Sequence, residues 1–360
     1  MAERAAVQLT GVHATSALGR GPDAQLTGVL TGAPAFRPVD RFDTAARRVD
    51  AAATLPDVGD LADELAEAVD AACRAAGLDA GRRAGAALLL AVHGCAGVPA
   101  LTTGLAARTG LTGPTRAYTT ACVSASSAVA DAATLIRRGD VERAVVAAGY
   151  LVEPDQYALF DAGRALATDG AVRPFSAGRT GLLLGDGIAA VVLESAAVAR
   201  APMADLLGWG RAGDAFHPCQ PEPGGRGLAR AVAAALRRAG LAAEAIGYVN
   251  ANATGTGYSD ASEAAALRTA LGAAAARTPV SSTKALHGHA LEASGLLELV
   301  VTVLALRHGK LPVNAGWLGP DPACPVDVIR DAPRPAATGY ALSLNAAFGG
   351  ANTALLVGAA

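Results

Sequence analysis

Cysteine is scarce and scattered. The five residues, Cys73, Cys95, Cys122, Cys219 and Cys324, include no pair at metal-ligand spacing. An odd count of this kind fits a reducing compartment better than a disulfide framework. Charge of one sign is also lacking: the formal net charge is −2, with basic residues spread along the chain. No nucleic-acid or membrane partner is therefore expected. No stretch reaches the roughly 18 uninterrupted apolar residues of a membrane span. The opening MAERAAVQLTGV has no long apolar run after its charges, as a signal peptide would. A soluble, cytoplasmic protein is the expectation. Walker, strand-linked GxGxxG and HExxH motifs are missing too, so nucleotide and zinc chemistry find no support and no metal or cofactor is expected.

What the chain does have is apolar material, 52% of its 360 residues, together with 42 glycines. That is enough for one large core or two ordinary ones, with many tight turns. The pattern alternates strands and helices, which predicts an α/β architecture. AAVQLTGV, GAALLLAVHG, RAVVAAGYLV and GIAAVVLES read as strands in the first half. DVGDLADELAEAVDAACRAAGL has helical spacing with Asp57 or Asp60 as its cap, and SASSAVADAATLIRRGD is a helix closed by Gly139. TRAYTTAC is predicted to be a strand running up to Cys122. After about residue 200 the order of elements looks similar again: ADLLGWGRAG and AIGYVNA as strands, GGRGLARAVAAALRRAGL and SDASEAAALRTALG as helices, the latter capped by Ser259 or Asp260. LEASGLLELVVTVLALRHG is a long, mostly apolar helix expected near the centre, and TGYALSLNAAFGGANTALLVG two final strands joined by a glycine-rich turn.

Several residues stand where chemistry is done. Cys122 sits between a predicted strand and a helix, among alanines and serines. A thiol there feels the positive end of the helix dipole, which favours thiolate. A cysteine met alone is more often a small buried apolar residue. His287 and His289 flank Gly288 ahead of the long apolar helix, and Lys284 precedes them. Taken singly these are ordinary capping or surface residues. The run YVNANATGTGYSD places Asn252, Thr254 and Thr256 just past a strand's carboxyl end, where α/β proteins usually bind ligands. Asn in such a place is commonly a turn residue.

In combination the pieces resemble the β-ketoacyl synthase (ketosynthase) family of the thiolase superfamily, over nearly the whole chain. TTACVSASSAVADAATLIRRGDVERAVVAAG is similar to the family's nucleophile segment. RALATDGAVRPFSAGRTGLLLGDGIAAVVLES resembles its RPFDxxRDGFVxGEGAG block. VNANATGTGYSDASEAAAL resembles VNAHGTGTxxNDxxE, SSTKALHGHALEASGLLE resembles STKxxxGHxxGAAGxxE, and SLNAAFGGANTALLV resembles NSFGFGGTNxxLVL. The resemblance implies a thiolase-like fold: two similar βαβαβ-type halves, residues 1–200 with the nucleophile and 201–360 with the remaining site residues, in five α-β-α-β-α layers. It implies Cys122 as nucleophile, His289 and Lys284 as its catalytic partners, and Glu298 in support. It implies Thr254 and Thr256 on the pantetheine arm, and Phe348 with Gly349 at the oxyanion turn. No cofactor is implied beyond the phosphopantetheine arm of an acyl carrier protein, the expected partner. A homodimer, or a heterodimer with a related ketosynthase, is implied as well.

The departures from the family carry as much as the matches. Asn252 stands where the family has its first catalytic histidine. Asparagine donates a hydrogen bond through its NH2 but cannot act as acid or base. Loading of Cys122 is expected to survive, and decarboxylative extension to be weakened, as in non-elongating ketosynthase domains. Ala346 replaces the first phenylalanine of SFGFGG, Asp186 replaces the glutamate of GEG, and the stretch from Gly94 to Cys122 is short. In the family the missing segment helps form the acyl pocket and the dimer flap. The favoured expectation is an acyltransferase of a polyketide-type or fatty-acid-type pathway. Open beside it are a true condensing enzyme using Asn252 as oxyanion donor, transfer of the acyl group to a hydroxyl or amine, and a chain-length-factor-like partner subunit of an active ketosynthase. Of the two histidines, only His289 is in register with the GH pattern, and His287 is expected to be dispensable.

Overall fold

A computed structural model describes residues 6–336 and 339–360. Its main strands are, in chain order, β1 (Val7–Ser16), β2 (Ala87–Ala91), β3 (Thr115–Tyr118), β4 (Arg143–Tyr150), β5 (Gly187–Ser195), β6 (Ala204–Gly213), β7 (Tyr248–Asn250), β8 (Pro279–Ser281), β9 (Asp327–Val328), β10 (Tyr340–Ala346) and β11 (Ala351–Ala359). The main helices are α1 (Leu61–Ala75), α2 (Val98–Thr109), α3 (Ser124–Arg138), α4 (Arg226–Ala239), α5 (Gly257–Leu271) and α6 (Ser294–His308).

The strands lie in the order β9-β8-β7-β10-β11-β6-β1-β5-β4-β2-β3. On either side of the β6–β1 junction the arrangement repeats. β2 and β3 are parallel, β2 and β4 are parallel, and β4, β5 and β1 are antiparallel in turn. Likewise β7 and β8 are parallel, β7 and β10 are parallel, and β10, β11 and β6 are antiparallel in turn. Among the described residues, only Gln8↔Asp205 and Leu9↔Ala204 pair across the junction. Helices α3 and α6 pack on each other and on strands of both sides, α1 and α2 cover the outer face of one side, and α4 covers the other, with α5 against it. This is a thiolase-type layering of helix, sheet, helix, sheet, helix.

Local chemistry explains the elements. The Asp60 side chain caps α1 by accepting from the Ala62 N–H. Gly139 closes α3 in the left-handed region, φ 76°. α6 is apolar on every face because it is the middle layer: every residue from Ser294 to Leu306 is buried. Asp186 is fully buried and satisfied by the Arg41 guanidinium and by the N–H groups of Leu55 and Val152. A shorter side chain than the family's glutamate thus still ties three segments together.

Two sequence expectations are corrected. The strand before Cys122 ends at Tyr118; the chain then makes a single tight turn, Ala121–Val123, ahead of α3. Neither Ser259 nor Asp260 caps α5, where Thr256 holds the cap position. Asp260 turns back instead, accepting from the N–H groups of Thr254, Gly255 and Phe175.

Candidate active site

Cys122 lies in that tight turn at the entrance to α3. Ala121, just before it, has φ 51°, a left-handed conformation that costs an alanine about 1–2 kcal/mol. The cost aims the thiol across the sheet ends toward the loop carrying His289. Gly288 makes that approach possible: its φ is 75°, and a Cβ there would lie 2.6 Å from the Leu184 carbonyl oxygen. The loop is pinned by His289 N–H to Leu183 O, 2.8 Å, and Gly185 N–H to His289 O, 3.1 Å. The result is Cys122 Sγ 3.2 Å from His289 Nε2, with His289 Nδ1 2.9 Å from Ser294 Oγ. If Nδ1–H is donated to Ser294, Nε2 is free to accept the thiol proton.

Lys284 is 1% exposed, far from the surface lysine that a single-residue reading suggests. Its Nζ is 2.5 Å from Glu298 Oε1. Glu298 Oε2 accepts from Asn345 Nδ2 at 2.7 Å, and Asn345 Oδ1 accepts from Ser126 Oγ at 2.5 Å. The chain of contacts therefore runs from the lysine through α6 and β10 into α3, the helix that Cys122 introduces. Asn345 and Ser126 were not singled out in the sequence. Both fall inside the blocks that carry Phe348 and Cys122, which is the only signal that pointed to them.

The electrostatics overturn one expectation. Burial pushes the Cys122 thiol up to about 12, Glu292 adds to the rise, and Lys284 opposes it. Desolvation outweighs the helix end, so the resting sulfur is a thiol. Burial, then Lys284 and His287, hold His289 well below the usual histidine range, so it is neutral. Alkylation of Cys122 by iodoacetamide is accordingly expected to accelerate about tenfold per pH unit from pH 7 to 10. A rate that levels off below pH 8 in peptide-resolved mass spectrometry would show a stabilised thiolate instead.

The other candidates have local partners of their own. The Asn252 N–H donates to Glu263 Oε1 at 2.8 Å. Asn252 lines a small cavity with Asp214, Glu263, Ala346 and Asn352, and neither Cys122 nor His289 is among the lining residues. Alanine at 346 leaves room that the family's phenylalanine would fill. Thr254 and Thr256 place their hydroxyls 3.1 Å apart. Phe348 is 49% exposed and stacks on Phe160, ring centroids 5.7 Å apart, at the turn before β11. His287 is neither solvated nor idle: it is fully buried, with Nδ1 2.9 Å from Gly288 O and Nε2 2.9 Å from Thr283 Oγ1. Glu292 and His93, which no sequence motif marks, meet beside the thiol's turn.

A layered thiolase fold with a buried Cys–His pair at the sheet ends defines a class, and comparison with known proteins gives the family. The profile for the β-ketoacyl synthase N-terminal domain matches residues 97–199, and that for the C-terminal domain matches residues 203–317. The chain is 34% identical over 257 residues to 3-oxoacyl-[acyl-carrier-protein] synthase 2 of Staphylococcus aureus, covering 69% of this chain and 64% of that protein. It is 37% identical to the synthase of the same name from Synechocystis sp., covering 68% and 62%. The match thus spans somewhat under two thirds of these relatives. Among solved structures, the ishigamide ketosynthase/chain length factor superposes with a TM-score of 0.93 at 27% identity, covering 99% of this chain and 100% of that one. A β-ketoacyl synthase from Burkholderia phymatum gives 0.89 at 27% identity, with 99% and 100% covered. A ketosynthase in complex with its chain length factor from Xenorhabdus doucetiae gives 0.85 at 25% identity, with 99% and 98% covered. The chain belongs to the β-ketoacyl synthase family.

Proposed function

We propose that this protein is a ketosynthase-like acyltransferase of a polyketide-type or fatty-acid-type pathway that loads an acyl group onto Cys122 and passes it on without decarboxylative extension. The observation that carries this is a complete Cys122–His289 pair in a chain whose Asn252, where the family has its first catalytic histidine, offers no titratable group. Residues 1–200 supply the nucleophile and 201–360 its base and the substrate loop. The donor is the phosphopantetheine thioester of an acyl carrier protein. Its arm lies along the Thr254 and Thr256 hydroxyls.

Chemically, His289 Nε2 takes the proton as Cys122 Sγ attacks the thioester carbonyl. The N–H groups of Cys122 and Phe348, beside Gly349, stabilise the tetrahedral oxyanion. Collapse expels the pantetheine thiolate, which recovers the proton from His289. Burial and then Lys284 keep His289 neutral and ready to accept, while Glu298 balances the lysine's charge. Extension would require a donor at the enolate that forms when malonate loses CO2. Asn252 has the NH2 for that but no titratable proton. Loss of a positioned acid or base typically costs about 10²–10⁴-fold in rate.

The test uses the intact protein with matched carrier proteins. Acyl-carrier protein is expected to add one acyl mass, while malonyl-carrier protein releases CO2 at well under about 1 per second, the lower end of ordinary turnover. Asn252→His is expected to raise CO2 release. Turnover at ordinary enzymatic rates by the wild type would make it a condensing enzyme with Asn252 as a working oxyanion donor.

A second reading, a partner subunit for an active ketosynthase, is favoured by the short Gly94–Cys122 stretch and by the likeness to ketosynthase/chain-length-factor assemblies. Strand β3 ends the sheet with Thr115, Arg116 and Ala117 exposed. Such an open edge invites pairing with a second copy or a related chain. A partner subunit would stay unacylated in the same assay while forming a complex with the pathway's ketosynthase.

A further inference from the structure

The block that carries His289 holds one more departure. In GHALEASG, Glu292 stands where the GHxxGAAG pattern has glycine. A glycine offers no side chain, and a glutamate puts a carboxylate into the middle layer. Its turn, Leu291–Ala293, packs directly on the Ala121–Val123 turn that holds Cys122. Leu291 takes φ 40° to carry it there. Glu292 is 4% exposed. One oxygen, Oε1, is 3.0 Å from Nδ1 of His93, at the end of β2. The other, Oε2, is buried with no hydrogen-bond partner among the described residues. After burial, Glu292 is the largest influence raising the Cys122 thiol, so its charge is felt at the sulfur. Lys284, a buried cation that also acts on the thiol, is already matched by Glu298.

A carboxylate with a free oxygen buried against the nucleophile's turn is costly unless something is gained. It does not take part in the thiol's own proton transfer, which His289 serves. What it changes is the charge that can approach Cys122. A donor with a carboxylate next to its thioester carbonyl, the malonyl class, must bring a second anion into the same poorly screened space. A neutral acyl group need not.

We propose that Glu292 is a specificity-determining residue of the Cys122 site, excluding donors that carry a carboxylate beside the thioester and admitting neutral acyl groups. The proposal rests on the reading of Cys122 as the acylated residue, and it deepens that reading by naming the donor class. Glu292 and Asn252 then act in the same direction: one keeps malonyl groups out, and the other offers no titratable group for their decarboxylation.

The test needs no carrier protein. Iodoacetamide and iodoacetate are near-isosteric alkylating reagents that differ by one negative charge. Their rates at Cys122 are measured at one pH by peptide-resolved mass spectrometry, with exposed Cys95 and Cys219 as internal references for intrinsic reactivity. In the wild type, the preference for iodoacetamide at Cys122 is expected to exceed that at the two references by about tenfold or more. Glu292→Gln, which keeps the shape, should bring the Cys122 preference down to the reference value. Glu292→Gly, the residue of the family pattern, should do the same and guards against a glutamine that merely repacks. An excess preference that survives both substitutions overturns the proposal. So does a Cys122 that reacts with neither reagent, since no anion then reaches the site to be selected. If the preference behaves as stated but acyl-carrier protein leaves Cys122 unmodified, the acyl-transfer reading fails and the charge selection stands.

Discussion

Cys122→Ala is expected to abolish acyl loading outright, and His289→Ala to slow it by about 10²–10⁴-fold while leaving the nucleophile in place. The first follows from placement. Of the five cysteines, only Cys122 has an imidazole nitrogen 3.2 Å from its sulfur among the described contacts. The second follows from the thiol's resistance to ionisation. With its pKa pushed up to about 12 by burial, the sulfur is a thiol at pH 7. A local base that removes the proton as the carbonyl is attacked is then the only fast route. Intact-protein mass spectrometry after incubation with acyl-carrier protein reads both effects. An acyl mass that persists in Cys122→Ala would move the chemistry to another thiol, with exposed Cys95 and Cys219 the first to check. An unchanged rate in His289→Ala would mean that the pair is a structural contact. A larger loss in His287→Ala than in His289→Ala would reverse their assignment. Some loss at His287 is expected through stability alone, because its two hydrogen bonds hold the loop that presents His289.

How far the sequence led depends on the range of each interaction. Strands and helices were legible because their patterns are local: the all-apolar run of α6, the Gly139 stop, the alternation into β10 and β11. The pairing of Cys122 with His289 spans 167 residues and was visible only through family motifs, not through any rule of spacing. Where side chains act at a distance without a motif, the sequence was silent. Nothing local says that Glu292 meets His93 across 199 residues, or that Asn345 links Glu298 to Ser126. The thiol's ionisation was misjudged for a related reason. A helix end is local and readable, but desolvation belongs to the packed interior and here outweighs it. Asp260 departs from the capping role that Asp usually takes at a helix start. Here it is fully buried, with its pKa raised to about 6 by burial, and holds the loop of Thr254 and Gly255. Glu263, raised to about 8 by burial, clamps Asn252 in the same way. The loop that follows a strand's carboxyl end is thus shaped by carboxylates from the next helix, Asp260 and Glu263, which its own residues do not reveal.

Lys284→Met is expected to destabilise the fold by about 3–5 kcal/mol, the usual consequence of leaving one member of a buried pair alone. Glu298 would then keep a carboxylate in the middle layer with Asn345 as its remaining side-chain donor. Glu298→Gln is expected to be nearly as costly, for the opposite reason: it strands a lysine that is 1% exposed. Replacing both, Lys284→Met with Glu298→Leu, should recover a large part of the loss, because the penalty comes from an unmatched charge rather than from the missing attraction. Urea unfolding of the four proteins measures this directly through the shift in midpoint. The pair also bears on chemistry. Lys284 holds the pKa of both Cys122 and His289 down. The double variant, folded but without the cation, should therefore have a thiol harder to ionise and a histidine readier to take a proton and stay charged. Its alkylation by iodoacetamide at fixed pH should fall below wild type even where its stability has returned. Single variants that unfold at the wild-type midpoint would show that the ion pair is solvated and that the middle layer is wetter than its packing implies. Recovery of stability together with wild-type alkylation would confine Lys284 to the scaffold and leave His289 alone to set the reactivity of Cys122.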